Sequence, residues 1–181
     1  MKKAVFLDRD GVINRKAPEG QYVTRWEQMD FLPGTSEAIR LLNKAGYFVV
    51  VVSNQRCVAK GLITASDLEA MHARMRRDFE AVGAKIDAIY YCPHEMRPPC
   101  ACRKPEPGML LDAAREHRLD LSASWMIGDS AHDVEAGRRV GCRTARLTSE
   151  GNPVADGADV VASSLLRATE KILETQSVSA G

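Results

Sequence analysis

The chain of 181 residues carries almost no net charge, because 25 Lys and Arg against 24 Asp and Glu leave a formal +1. Proteins dedicated to nucleic acid or to anionic membrane surfaces need a basic excess to neutralise phosphates, so this balance argues against both partner classes. No run approaches the ~20 apolar residues of a membrane span. The N-terminus starts basic and apolar, as an export signal does, but Ala4-Val5-Phe6-Leu7 meets Asp8, Arg9 and Asp10 at once, which marks a strand. A cytoplasmic protein is therefore expected. Internal repeats and low-complexity tracts are missing. Cysteines number only five, an odd count, and Cys92, Cys100 and Cys102 crowd into one short stretch, which suits a metal better than a disulfide framework.

Hydrophobic residues at 45% and charged residues at 27% are ordinary for a globular chain, and the length fits one compact domain without disulfide staples. Short apolar runs alternate with helical patterns, the mark of a doubly wound, mostly parallel α/β sheet with helices on both faces. Strands are predicted at 4–7, 48–52, 86–91, 125–127 and 144–147, with a weaker edge at 160–162. The run Val49-Val50-Val51-Val52 lacks alternation because both its faces are covered. Helices are predicted after Thr35 or Ser36 up to Gly46, from the Thr64/Asp67 capping box to Gly83, and over 108–117, 133–140 and 165–173. One domain over 1–175 is expected, followed by a flexible tail at 176–181. No apolar helix face stands out, so a monomer is expected.

In an open parallel sheet, ligands bind beyond the carboxyl ends of the strands. Asp8 and Asp10 follow the first strand, Ser53 and Asn54 the second, and Asp129 and Asp133 the fourth; Lys104 precedes a helix. Any of these alone is better explained as a turn residue, a helix cap or a solvated charge. Together they make one acidic pocket with a lysine beside it. Crowded carboxylates without soft donors suit Mg2+. Asp8 can then attack phosphorus to give an aspartyl-phosphate, with Asp10 as acid and base. Ser53 and Lys104 would hold the phosphoryl oxygens.

A second cluster, Cys92-Pro93-His94 with Cys100-Ala101-Cys102, offers the Cys3His set of a structural Zn2+ site. Such a site is coordinatively closed, so this zinc would shape the loop 92–103 and aim Arg103 and Lys104 at substrate.

The order Asp-x-Asp-Gly, Ser-Asn, Lys-Pro and Gly-Asp-x-x-x-Asp resembles the haloacid dehalogenase superfamily of phosphohydrolases, over the stretch from Asp8 to Asp133. The resemblance implies that Asp8 and Asp129 ligate Mg2+ by side chain and Asp10 by its backbone carbonyl, while Asp133 orients the metal's surroundings. Asp8 to Asn14, Phe31-Leu32-Pro33-Gly34, Ser53-Asn54-Gln55, the zinc cluster and Cys102 to Met109 narrow the likeness. They resemble the D-glycero-D-manno-heptose-1,7-bisphosphate phosphatase family and its relative, the histidinol-phosphate phosphatase domain. Removal of the 7-phosphate of the heptose bisphosphate is the activity implied. Histidinol-phosphate or another small phosphosugar as substrate, and a catalytically silent zinc-stabilised binding module, stand as alternatives.

The chain departs from the family pattern at Arg56-Cys57, where a small pair is usual, and at Ser130, where many members carry Lys. The spacings leave no room for a cap domain. Specificity would then rest on Asn54, Gln55, Arg56 and Arg103 and on the loops carrying them, with Arg15, Lys16, Lys60 and Arg97 as further sources of positive charge.

Overall fold

The computed structural model describes residues 1–151 and 154–179, with side chains to residue 175. Six strands form one parallel sheet: β1 (Lys2–Leu7), β2 (Phe48–Asn54), β3 (Ala88–Cys92), β4 (Leu119–Gly128), β5 (Arg143–Leu147) and β6 (Val160–Ala162). Their order across the sheet is β3-β2-β1-β4-β5-β6, the doubly wound arrangement whose direction reverses between β1 and β4. Five helices cover it, α1 (Thr35–Lys44), α2 (Ala65–Ala81), α3 (Gly108–His117), α4 (Ala131–Arg139) and α5 (Leu165–Ser179).

Burial on both faces explains the unbroken apolar strands. Val5, Leu7, Val49, Val51 and Ile127 pack with Ile39 and Leu42 of α1, Phe79 of α2 and Ile172 of α5. Ala4, Phe6, Val50, Val52 and Met126 turn the other way, onto Met109, Leu110 and Ala113 of α3. At the second face, a Cβ added to Gly137 would lie 2.7 Å from that of Met126, so α4 approaches β4 by way of this glycine. A third, smaller cluster of Val23, Met29, Cys57, Ile63, Leu68 and Met71 anchors the loop after β1 against the start of α2. Thr64 accepts the Asp67 amide at 3.0 Å and caps α2 as the capping box predicts.

The observed elements depart from expectation in four places. β4 begins at Leu119, six residues early: Asp120 Oδ1 accepts the amides of Ser122 and Ala123, and with this bend the strand pairs with β1 on either side of a register shift. β3 starts at Ala88 and not at Ile86, because the Asp87 carboxylate, in place of a ladder carbonyl, takes the Val49 amide. The helix α4 starts at Ala131, behind a Ser130/Asp133 capping box. Finally, α5 continues to Ser179, where a tail from Gln176 was expected; residues 180 and 181 lie outside the described residues.

Between β1 and β2 the described chain makes only a 3-10 turn at Trp26–Gln28 and α1, and between β2 and Lys104 only α2 and β3, so these segments hold no cap. Among the described residues no helix is long and apolar enough to cross a membrane.

Candidate active site

Leu7 lies in register with Val51 of β2 and Ile127 of β4, so Asp8 leaves the sheet between those two strand ends. Its amide donates to the Ile127 carbonyl at 3.0 Å. Asp129 follows Gly128 at the end of the neighbouring strand. One carboxylate oxygen from each of Asp8, Asp129 and Asp133 falls within a 4.8 Å cluster. Close packing enforces this. A Cβ on Gly128 would sit 2.1 Å from that of Asp133, and one on Gly11 would sit 2.3 Å from Asp129 Oδ2, so both positions need glycine.

Lys104 enters beneath the acids and is almost fully buried. Its ammonium contacts Asp133 Oδ1 at 2.6 Å and Asp8 Oδ1 at 3.0 Å and donates to the Val52 carbonyl at 2.8 Å. Burial disfavours this charge, but Asp133 and Asp8 outweigh it and raise the Lys104 pKa. Burial also pushes the Asp8 carboxyl up to about 7; Lys104 opposes that shift, while Asp133, Asp10 and Asp129 add to it. Asp129 Oδ1 is buried without a hydrogen-bond partner among the described residues. Hard oxygens, mutual repulsion and an unpartnered buried oxygen together fit a divalent cation such as Mg2+.

Asp10 faces another way. Arg9 Nη2 donates to both of its oxygens at 3.0 Å, Asn14 Nδ2 to Oδ1 at 2.9 Å and Gln55 Nε2 to Oδ2 at 2.9 Å. Burial would raise its pKa, but Arg9, Asn14 and Gln55 prevail and lower it. Gln55 Nε2 also donates to Ser53 Oγ at 2.7 Å. Asn54 brackets the backbone of Lys104, its Oδ1 accepting the Lys104 amide at 3.0 Å and its Nδ2 donating to the Lys104 carbonyl at 3.1 Å. Asn54 and Gln55 thus position Lys104 and Asp10 while also lining the cavity.

The cavity over Asp8 measures about 340 Å3 and is lined by Asp10, Lys16, Arg103, Lys104, Asp129 and His132 among others. Ser53 and Arg56 do not line it. Ser53 is buried, its hydroxyl engaged by Gln55. Arg56 forms an ion pair with Glu95, tying the loop after β2 to the cysteine loop. Arg56 was expected among the substrate contacts; here its guanidinium faces Glu95 and lies outside the cavity lining.

The four zinc candidates converge. Cys92 Sγ is 3.6 Å from Cys100 Sγ and from His94 Nδ1, Cys100 and Cys102 sulfurs are 3.6 Å apart, and His94 Nδ1 is 3.2 Å from Cys102 Sγ. A tetrahedral Zn2+ bound at about 2.3 Å to sulfur and 2.0 Å to nitrogen separates its donors by about 3.5–3.8 Å, a spacing the three 3.6 Å pairs meet and His94 with Cys102 undercuts slightly. None of the cysteines is in a disulfide. The loop is also tied to the helix that follows, since the Gly108 amide donates to the Ala101 carbonyl at 2.9 Å and a Cβ there would collide with it.

Arg9, Asn14 and His72 are parts of the site that residue-by-residue sequence reasoning passes over. Each had a signal. Arg9 stands between two acids directly after a strand, and His72 follows Leu68 by four residues on the buried face of α2.

The family described as HAD-hydrolase-like, after haloacid dehalogenase, matches residues 101–168. The D-glycero-beta-D-manno-heptose-1,7-bisphosphate 7-phosphatase of Rhodopseudomonas palustris is 42% identical, covering 82% of this chain and 85% of its own. The enzyme of the same name from Pseudomonas aeruginosa is 37% identical over 92% of this chain and 99% of its own. Among solved structures, the D,D-heptose 1,7-bisphosphate phosphatase of B. bronchiseptica, complexed with magnesium and phosphate, superposes with a TM-score of 0.85 at 34% identity, covering 96% of this chain and 99% of that one. A strand-end acidic pocket with a buried lysine, and relatives matched over nearly the whole chain, lead to one conclusion: this chain belongs to the D-glycero-D-manno-heptose-1,7-bisphosphate 7-phosphatase family of haloacid dehalogenase-like hydrolases.

Proposed function

We propose that this protein removes the 7-phosphate of D-glycero-D-manno-heptose 1,7-bisphosphate by way of an aspartyl-phosphate on Asp8, and that residues 1–175 do so as one unit without a cap. The observation that carries this reading is the Asp8 carboxylate at the floor of the cavity, 3.0 Å from the Lys104 ammonium and clustered with Asp129. The likeness to heptose bisphosphate phosphatases supplies the substrate.

Asp8 attacks phosphorus through a carboxylate oxygen, and the bond from phosphorus to the sugar's 7-oxygen breaks. The leaving oxygen takes a proton from Asp10. Asp10 then takes a proton from water, whose oxygen attacks phosphorus and releases inorganic phosphate and the Asp8 carboxylate. The contacts from Arg9, Asn14 and Gln55 favour the ionised form of Asp10, which is the base of this second step. Lys104 is held by Asn54 and Asp133 where it meets negative charge growing on the phosphoryl oxygens. Mg2+, held by the side chains of Asp8 and Asp129 and the backbone carbonyl of Asp10, would supply positive charge that lets a phosphate approach these acids. Zn2+ on Cys92, His94, Cys100 and Cys102 would fix the loop that carries Arg103 and Lys104.

The test is phosphate release from the β-anomer of heptose 1,7-bisphosphate with Mg2+, comparing wild type with Asp8→Asn. Wild type should release one phosphate and leave the 1-phosphate, and Asp8→Asn should fall to background. Wild-type protein that leaves the 7-phosphate in place, or an Asp8→Asn variant as active as wild type, would overturn the proposal.

A further inference from the structure

The four aspartates at the cavity, Asp8, Asp10, Asp129 and Asp133, are met by three cations, Arg9, Lys16 and Lys104. Arg9 is paired with Asp10, and Lys104 sits between Asp8 and Asp133. The third, Lys16, donates to Asp129 Oδ2 at 2.9 Å. The first two are sealed in the fold, whereas the Lys16 side chain is 60% exposed and its partner only 18%. An ion pair this open contributes little to stability. Its place therefore calls for another explanation, and three observations supply it.

Lys16 comes from the loop after β1, whose residues Ala17, Tyr22 and Val23 pack on the third cluster with Ile63 and Met71. The loop backbone is thus anchored, and the flexible side chain does the reaching. The same loop, from Lys16 to Val23, forms one wall of the cavity, opposite Ser130 and His132 at the start of α4. Finally, the oxygen that Lys16 occupies belongs to the carboxylate whose other oxygen is buried without a partner, so Lys16 stands in for a cation at the outer edge of the acid cluster.

We propose that Lys16 is a specificity-determining residue: it neutralises Asp129 while the divalent site is empty, and, once that site is filled, turns to the phosphate of a bisphosphate substrate that is not transferred. This inference rests on the function proposed above. The transferring phosphate belongs at the floor, where Asp8 and Lys104 are nearly closed off from solvent. A second phosphate on the same sugar must lie nearer the mouth, where Lys16 and Arg103 line the wall. An ammonium suits this double duty, since its donors rotate and its stem is flexible.

The test uses zinc-loaded protein as wild type, Lys16→Met and Lys16→Arg. Calorimetric titration with Mg2+ alone should give about two- to fivefold tighter binding for Lys16→Met, the worth of one exposed ion pair removed from competition. In steady-state assays with Mg2+, the preference of kcat/KM for heptose 1,7-bisphosphate over heptose 7-phosphate should fall about tenfold or more in Lys16→Met, mostly through KM, with partial recovery in Lys16→Arg. Unchanged or weaker Mg2+ binding, or equal losses on the two substrates, would overturn the role of Lys16 and leave the phosphatase reading standing. Wild type that hydrolyses neither sugar phosphate would overturn both.

Discussion

The guanidinium of Arg9 meets the imidazole of His72 at 3.1 Å, Nη1 to Nε2, and both side chains are buried. A guanidinium only donates, so Nε2 accepts, the ring proton sits on Nδ1 and His72 is neutral. The pair links α2 to Asp10, because the same guanidinium grips both oxygens of that carboxylate.

Replacing His72 by Leu leaves an Arg9 N–H buried without an acceptor, at an expected cost of about 1–3 kcal/mol. Urea unfolding at pH 7 measures it. His72→Gln, whose side-chain oxygen can accept, should recover much of the loss. Because His72 acts through Arg9 on Asp10, kcat should also fall in His72→Leu with little change in KM.

His72 also sets a pH dependence. Burial, helped by Arg9 and opposed by Asp10, pushes its pKa down to about 3 from an ordinary 6.5. A depressed folded-state value contributes stability that is present above the unfolded value and lost as pH falls through the folded one. Wild type should therefore lose more stability between pH 7 and pH 4.5 than His72→Gln does. Parallel losses would show that this histidine does not titrate against folding.

For Asp8 the sign is reversed. Its folded-state pKa is pushed up to about 7, so the metal-free protein keeps this contribution at low pH and loses it as pH rises through 7. Mg2+ relieves the repulsion among ionised carboxylates, so the rise in Tm that it causes should be larger at pH 8 than at pH 6. Thermal melts in zinc-loaded protein, without chelator, provide the comparison.

Lys104→Met removes the counter-ion of Asp8 and Asp133 from a nearly dry position. A loss of about 3–5 kcal/mol in unfolding free energy is expected, together with loss of phosphatase activity. Stability close to wild type would mean that the two acids had taken up protons in its place.

Zinc should be present at on the order of one ion per chain in freshly purified, reduced protein. Cys100→Ser should lower the zinc content, reduce Tm and depress kcat/KM, since Arg103 and Lys104 directly follow the last cysteine. Elemental analysis beside a melting curve distinguishes a metal-built loop from one that folds without metal.

The sheet was legible in the sequence where packing is simple. Residues 48–52 are apolar because both faces are covered, and nothing else there competes. β4 was expected only over 125–127, although Leu119 to Ser124 alternates apolar and polar residues as a strand does; its pairing depends on the bend at Asp120. The acids after β1 and β4 could be found because a parallel sheet delivers strand ends to one rim. The partners of Arg56 and Ser53 could not: Glu95 lies on a distant loop, and which way a hydroxyl turns depends on Gln55. Nor does spacing show that Lys16, drawn from a surface loop, reaches the carboxylate just beyond the fourth strand.

The amide of Asp8 is bonded to the carbonyl of Ile127, although most of the chain separates them. During synthesis Asp8 leaves the ribosome early, while the strand that presents Asp129 emerges only after α2, β3 and the cysteine loop. An unfinished chain therefore carries the first acid of the cluster long before it carries the last. The acid cluster closes only when the fourth strand pairs beside the first, so the central pairing of the sheet is also what builds the site.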